Sequence, residues 1–109
     1  MAYNDEIGFI LDNRPVFRGG VKAQTITGAL TLTGRSEVFN IVTNDSGGSV
    51  IVTLPAFKDG AYVWIRCHDD SGHQLEIRDV PGATITYLTV GQMGLFVCDG
   101  SAWHFVMKG

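Results

Sequence analysis

Apolar residues in this 109-residue chain recur at every second position in short runs, and nearly every run ends in Gly, Pro, Asn or Asp. No stretch of about three helical turns carries the i, i+3, i+4, i+7 pattern of an amphipathic helix. Period two places alternate side chains on opposite faces, so this alternation specifies β-strands. In residues 25–33, Ile26, Leu30 and Leu32 share one face and threonines take the other. Residues 36–43 are apolar on both sides (Val38, Phe39, Ile41, Val42), which suits a strand that is central or covered by a partner. Asn44-Asp45-Ser46-Gly47-Gly48 is a turn, because these residues tolerate positive φ. Residues 49–54 then read as the return strand, stopped by Pro55.

In residues 61–68, Ala61, Val63, Ile65 and Cys67 point one way and read as core. Tyr62, Trp64, Arg66 and His68 point the other way. Asp69-Asp70-Ser71-Gly72 turns the chain into residues 74–78, with Leu75 and Ile77 inward. Pro81-Gly82 leads into residues 84–88, and Gly91 opens residues 93–98. Asp99-Gly100 is a hairpin signal before residues 101–107, where Trp103, Phe105 and Met107 share a face and Trp103 reads as core. About eight short strands at this spacing predict one all-β domain. The expected form is an antiparallel β-sandwich, jelly-roll-like, with a β-barrel as the alternative.

Charged residues make up only 17% of the chain and Gly occupies 14 positions, which favours strands and tight turns over solvated helices. Net charge is −3, from 8 basic and 11 acidic residues, with no run of Lys or Arg. Phosphate binding needs a basic footprint, so no nucleic-acid partner is expected. No segment approaches the ~20 apolar residues of a membrane span, and no targeting segment is apparent, so no membrane partner is expected and the chain starts life in the cytosol. Cys67 and Cys98 each lie in an apolar run and are expected to be buried thiols.

Residues 1–20 stand apart from the domain at 21–109. They hold Phe9, Ile10, Leu11, Val16 and Phe17, interrupted by Asn13-Arg14-Pro15 and followed by Gly19-Gly20. This segment reads either as an edge strand of the same domain or as an extended arm that docks on another subunit by strand addition.

Chemical constellations are sparse. His68-Asp69-Asp70 with His73 is the one cluster resembling metal ligands. It lacks both the four convergent N/S ligands of structural zinc and the alternating ligands and closing Glu of a calcium loop, so a polar turn is expected. No Gly-x-Ser-x-Gly elbow accompanies His68, His73 or His104, and no Gly-rich loop feeds a helix. Glu76 and Asp79 read as solvated carboxylates rather than a glycosidase pair. These residues predict no enzyme, no cofactor and no metal. Tyr62, Trp64, Arg66, Tyr87 and Trp103 are the residues for an aromatic binding patch, because aromatics and Arg are enriched where interfaces bind tightly.

Residues 50–105 carry, in order, Val52-Thr53-Leu54-Pro55, Gly60, Tyr62-Val63-Trp64-Ile65, Ile77, Ala83-Thr84-Ile85, Gly91 and Asp99-Gly100-Ser101-x-Trp103. This pattern, over roughly half the chain, resembles small β-rich proteins and modules of tailed-bacteriophage virions. One such module behind an apolar N-terminal segment is most similar to head-decoration, or cement, proteins. The resemblance implies a virion protein on the outer capsid surface, assembled in the host cytoplasm. Its partners would be the major capsid protein and further copies of itself, with a trimer favoured and a dimer next. The expected contact residues are Phe9, Ile10, Leu11, Val16 and Phe17 of the arm, with Tyr62, Trp64 and Arg66 of the domain. Tail, baseplate or fibre modules share the pattern, and a carbohydrate-binding β-domain fits the aromatics; both remain alternatives.

Overall fold

The computed structural model describes residues 20–108, with side chains as far as residue 106. Residues 1–19, and with them the expected arm contacts Phe9, Ile10, Leu11, Val16 and Phe17, lie outside the described residues. The described residues form nine strands and no helix: β1 (Val21–Ile26), β2 (Leu30–Thr31), β3 (Phe39–Asn44), β4 (Val50–Thr53), β5 (Tyr62–Cys67), β6 (Leu75–Arg78), β7 (Thr84–Leu88), β8 (Met93–Cys98) and β9 (Trp103–Lys108).

They make two sheets, one of five strands in the order β1-β3-β5-β8-β9 and one of four in the order β2-β4-β6-β7. Up to β6 the chain alternates between them, each strand lying parallel to the one two before it. The path is therefore a winding of three coils, each contributing one strand to either sheet. Strands β7, β8 and β9 then reverse direction and pair antiparallel with β6, β5 and β8. Both sheets are mixed and neither closes into a barrel.

The expected antiparallel pairing is thus corrected for the first six strands. Turn residues mark where a chain changes direction, but they do not say whether the next strand rejoins the same sheet. Residues 44–48 illustrate this: the turn is present, yet β4 enters the other sheet instead of returning beside β3. Residues 25–33 are likewise two strands, because the chain crosses between sheets at residues 27–29. Ile26 and Leu32 are both buried as expected, but they reach the core from opposite sides of that crossing.

The inner faces of both sheets meet in one core. Val42, Ile65, Cys67, Phe96 and Cys98 come from the five-stranded sheet, and Val52, Leu75, Ile77 and Leu88 from the other. Trp103 joins this core, with its indole Nε1 donating to the Pro55 carbonyl at 2.9 Å. Phe96 stacks on Phe105 at a centroid distance of 5.4 Å. The doubly apolar run of residues 36–43 is central, flanked by β1 and β5. The inward positions of β3, however, are Asn40, Val42 and Asn44, so Phe39 and Ile41 face outward.

Candidate partner-binding surface

Pleating leaves each sheet with a second face pointing away from the core. On the five-stranded sheet, the strand register aligns Val21, Phe39, Trp64 and Leu95 in one row across β1, β3, β5 and β8. The next row is Ala23, Ile41, Arg66 and Met93. Phe39 and Trp64 stack with centroids 6.0 Å apart and planes 13° from parallel. Tyr62 and Val97 extend the surface toward the other end of β5, with Tyr62 46% exposed.

Of the residues expected at an interface, Tyr62, Trp64 and Arg66 therefore share this face, as the alternation in β5 predicts. Trp103 is in the core, and Tyr87 is exposed on β7 in the other sheet. The sequence did not single out Val21, Leu95 or Met93. Their signal is the cross-strand register, which composition does not carry.

Two polar side-chain pairs lie on and beside this face. The Arg66 guanidinium donates to Asp69 at 2.9 Å. His104 Nε2 lies 2.8 Å from Asp99 Oδ2, while Asp99 Oδ1 accepts from the amides of Ser101 and Ala102. The His104 contact and then those two amides hold the Asp99 carboxyl down to about 2. The same amide bonds shape the β8–β9 hairpin, where Gly100 adopts a φ of +96° that other residues resist.

The outer face of the four-stranded sheet is different in kind. Its rows are Thr31, Thr53, Arg78 and Thr84, then Ile51, Glu76 and Tyr87. Arg78 Nε donates to Glu76 at 2.7 Å, and the Thr84 hydroxyl donates to the same carboxylate. The Arg78 bond first, and the Thr84 bond second, lower the Glu76 pKa. Glu76 is thus committed to its neighbours on the sheet surface. Asp79 is occupied too, accepting from the amides of Gly82 and Ala83 at 2.9 and 2.7 Å.

The His68–His73 stretch is a turn in which the Asp70 amide donates to His68 Nδ1 at 3.0 Å and Asp69 is taken by Arg66. No group of three or more His, Cys, Asp or Glu side chains is placed to hold a metal among the described residues. Cys67 and Cys98 are free, buried thiols, and burial pushes the Cys67 pKa up. On adjacent strands, Cys67 bonds to Gln92 while Cys98 bonds to Ala61, putting the two sulfurs at opposite ends of the β5–β8 pair. Six residues of strand separate those levels by about 20 Å, whereas a disulfide needs Cα atoms within about 7 Å.

A cleft of about 490 Å³ opens between the loops entering β3 and β5, lined by Glu37, Pro55, Phe57, Lys58, Asp59 and Tyr62 among others. No helix among the described residues is long and apolar enough to cross a membrane. No known protein family matches the chain, and no curated protein matches its sequence.

Proposed function

We propose that this chain is a structural protein of a bacteriophage particle, a decoration protein that attaches to the outside of the assembled head and stabilises it. It binds through surfaces rather than transforming a substrate, and it acts as a symmetric oligomer. The observation supporting an attachment role for the N-terminal segment is the layout of the first coil. The core residues among those described begin at Ile26, while Val21, Lys22 and Ala23 ahead of it are exposed on an edge strand. The expected arm residues Phe9, Ile10, Leu11, Val16 and Phe17 precede this edge strand in the sequence. Fully burying one such side chain contributes roughly 1.5–3 kcal/mol, so five of them suffice to anchor a small domain. In finer architecture we read the two sheets as the layers of a sandwich built by parallel winding.

The test is deletion of residues 1–18. The truncated protein should still unfold cooperatively but no longer co-sediment with capsids that full-length protein decorates. A truncated protein that still binds would sink the arm. A sharp fall in its melting temperature would instead make the segment a strand of the domain. Full-length protein that binds no capsid would remove the decoration reading.

The cleft favours one second reading. Phe57 and Tyr62 offer aromatic surface beside the polar groups of Glu37, Lys58 and Asp59, a combination suited to a sugar. Binding of the isolated domain on a glycan array, lost in Tyr62→Ala, would move the protein to a tail or host-surface role.

A further inference from the structure

The loops entering β3 and β5 form the two walls of the 490 Å³ cleft, and local bonding holds each of them in shape. On one wall the Ser36 amide donates to the Thr33 carbonyl at 3.0 Å, and the Thr33 amide to Ser36 Oγ at 2.8 Å. Buried Asn40 fixes the next residue, its side-chain amide donating to the Glu37 carbonyl at 2.9 Å. On the other wall the amides of Lys58 and Gly60 donate to the sulfur and the carbonyl of Cys98, at 3.3 and 2.9 Å. The Ala61 amide closes that turn on the Lys58 carbonyl. Asp59 rests on Gly100 of the β8–β9 hairpin, where an added Cβ would stand 3.3 Å from the Asp59 Cβ. These backbone groups are satisfied within the protein, whereas an extended peptide binds by adding main-chain hydrogen bonds. Recognition in the cleft falls to side chains. Elsewhere Asp69, Glu76, Asp79 and Asp99 are each engaged by a neighbour. The side chains of Glu37, Lys58 and Asp59 make no hydrogen bond or ion pair among the described residues.

We infer that this cleft selects a neutral hexopyranose over an acidic one, as the terminal sugar of a surface glycan. This rests on the sugar reading of the cleft given above and is independent of any capsid. A sugar hydroxyl is both donor and acceptor, so neighbouring hydroxyls can donate to Glu37 or Asp59 while accepting from Lys58. Tyr62, 46% exposed, and half-buried Phe57 supply flat apolar surface for the C–H face of a pyranose ring. A carboxylate or sulfate on the sugar only accepts. It would face the two acceptor groups Glu37 and Asp59 with no proton to share and one lysine in compensation, which is discrimination by an unmatched partner. The volume lies within the roughly 300–1,000 Å³ of small-ligand sites, and the bonded walls make the cleft preformed, as such sites usually are.

The experiment titrates the full-length protein with methyl glycosides of glucose, galactose and mannose, and with glucuronate and N-acetylneuraminate, followed by calorimetry and ligand-observed NMR. At least one neutral glycoside should bind, and the two acids at least tenfold more weakly than it. Tyr62→Ala and Glu37→Gln should each weaken the neutral sugar at least tenfold, with melting temperatures showing that both variants are folded. Tyr87→Ala, on the other sheet, should bind as wild type does. Acids that bind as tightly as the neutral sugars overturn the inference while the sugar reading stands. Loss of binding in Tyr62→Ala with none in Glu37→Gln does the same, leaving stacking without the polar selection. Binding of no sugar at all overturns both. Binding that emerges only in the protein lacking residues 1–18 gives the cleft to the chain's own N-terminal segment and also overturns the inference.

Discussion

At the scale of single residues, the interior holds two asparagines where alternation alone would place hydrophobes. Asn44 is fully buried, and its Nδ2 donates to the carbonyls of Gly48 at 2.9 Å and Gln74 at 2.8 Å. Its Oδ1 accepts from the Ser46 amide, and its own amide donates to Ser71 Oγ. One side chain thus fastens the second coil to the third. Asn44→Ala should cost about 2–4 kcal/mol, because three part-buried backbone groups lose a hydrogen bond at once. Urea denaturation would read this as a lower midpoint at unchanged slope, and a midpoint equal to wild type would discredit the bridging role. The sequence announces Asn44 as a turn former, which it is, through the Ser46 bond. Its second task is invisible there, since Gln74 lies thirty positions away. Asn40 is a comparable surprise: its amide donates to the Glu37 carbonyl, while its buried Oδ1 has no hydrogen-bond partner among the described residues.

At the scale of elements, local chemistry and long-range pairing part company. Strands β5 and β6 lie where alternation puts them, with Val63, Ile65 and Cys67, and then Leu75 and Ile77, turned inward. The Asp99-Gly100 hairpin joins β8 to β9 as its turn residues require. Pairing partners were not legible, because a parallel winding and an antiparallel meander use the same strands and similar turns. Nor did the sequence mark Gly94, which occupies an inward position of β8 opposite Ile65. A methyl group there would sit 3.0 Å from the Phe96 ring and 3.2 Å from Leu88. Phe96 is fully buried and stacked on Phe105, so it has little room to withdraw. Gly94→Ala should therefore destabilise by about 1–3 kcal/mol through overpacking. For a domain near this size that is a melting-temperature drop of at least several degrees, at about 4–8 °C per kcal/mol. An unchanged melting temperature would mean that the ring and β8 relax freely.

At the scale of the whole molecule, the winding produces an asymmetric object. Its outer faces are apolar on one side and polar on the other, and among the described residues β1 and β2 of its first coil are edge strands. Exposed edges invite unwanted strand pairing, and a two-residue β2 limits that hazard for one sheet. For the other, β1 follows directly on the N-terminal segment proposed to attach the domain to a shell. A protein that binds only the assembled shell stabilises it by mass action, whatever the contact chemistry. At a free concentration one hundred times the dissociation constant, each occupied site contributes about 2.7 kcal/mol, and the contributions accumulate over the many equivalent sites of a shell. Heating capsids with saturating full-length protein should therefore raise the temperature of shell disruption in proportion to occupancy. The protein lacking residues 1–18 should give no such rise. Nucleic-acid release followed by dye fluorescence reads both experiments on the same particles. Saturated particles that open at the temperature of bare ones would show attachment without stabilisation, and the cement role would fall even with binding intact.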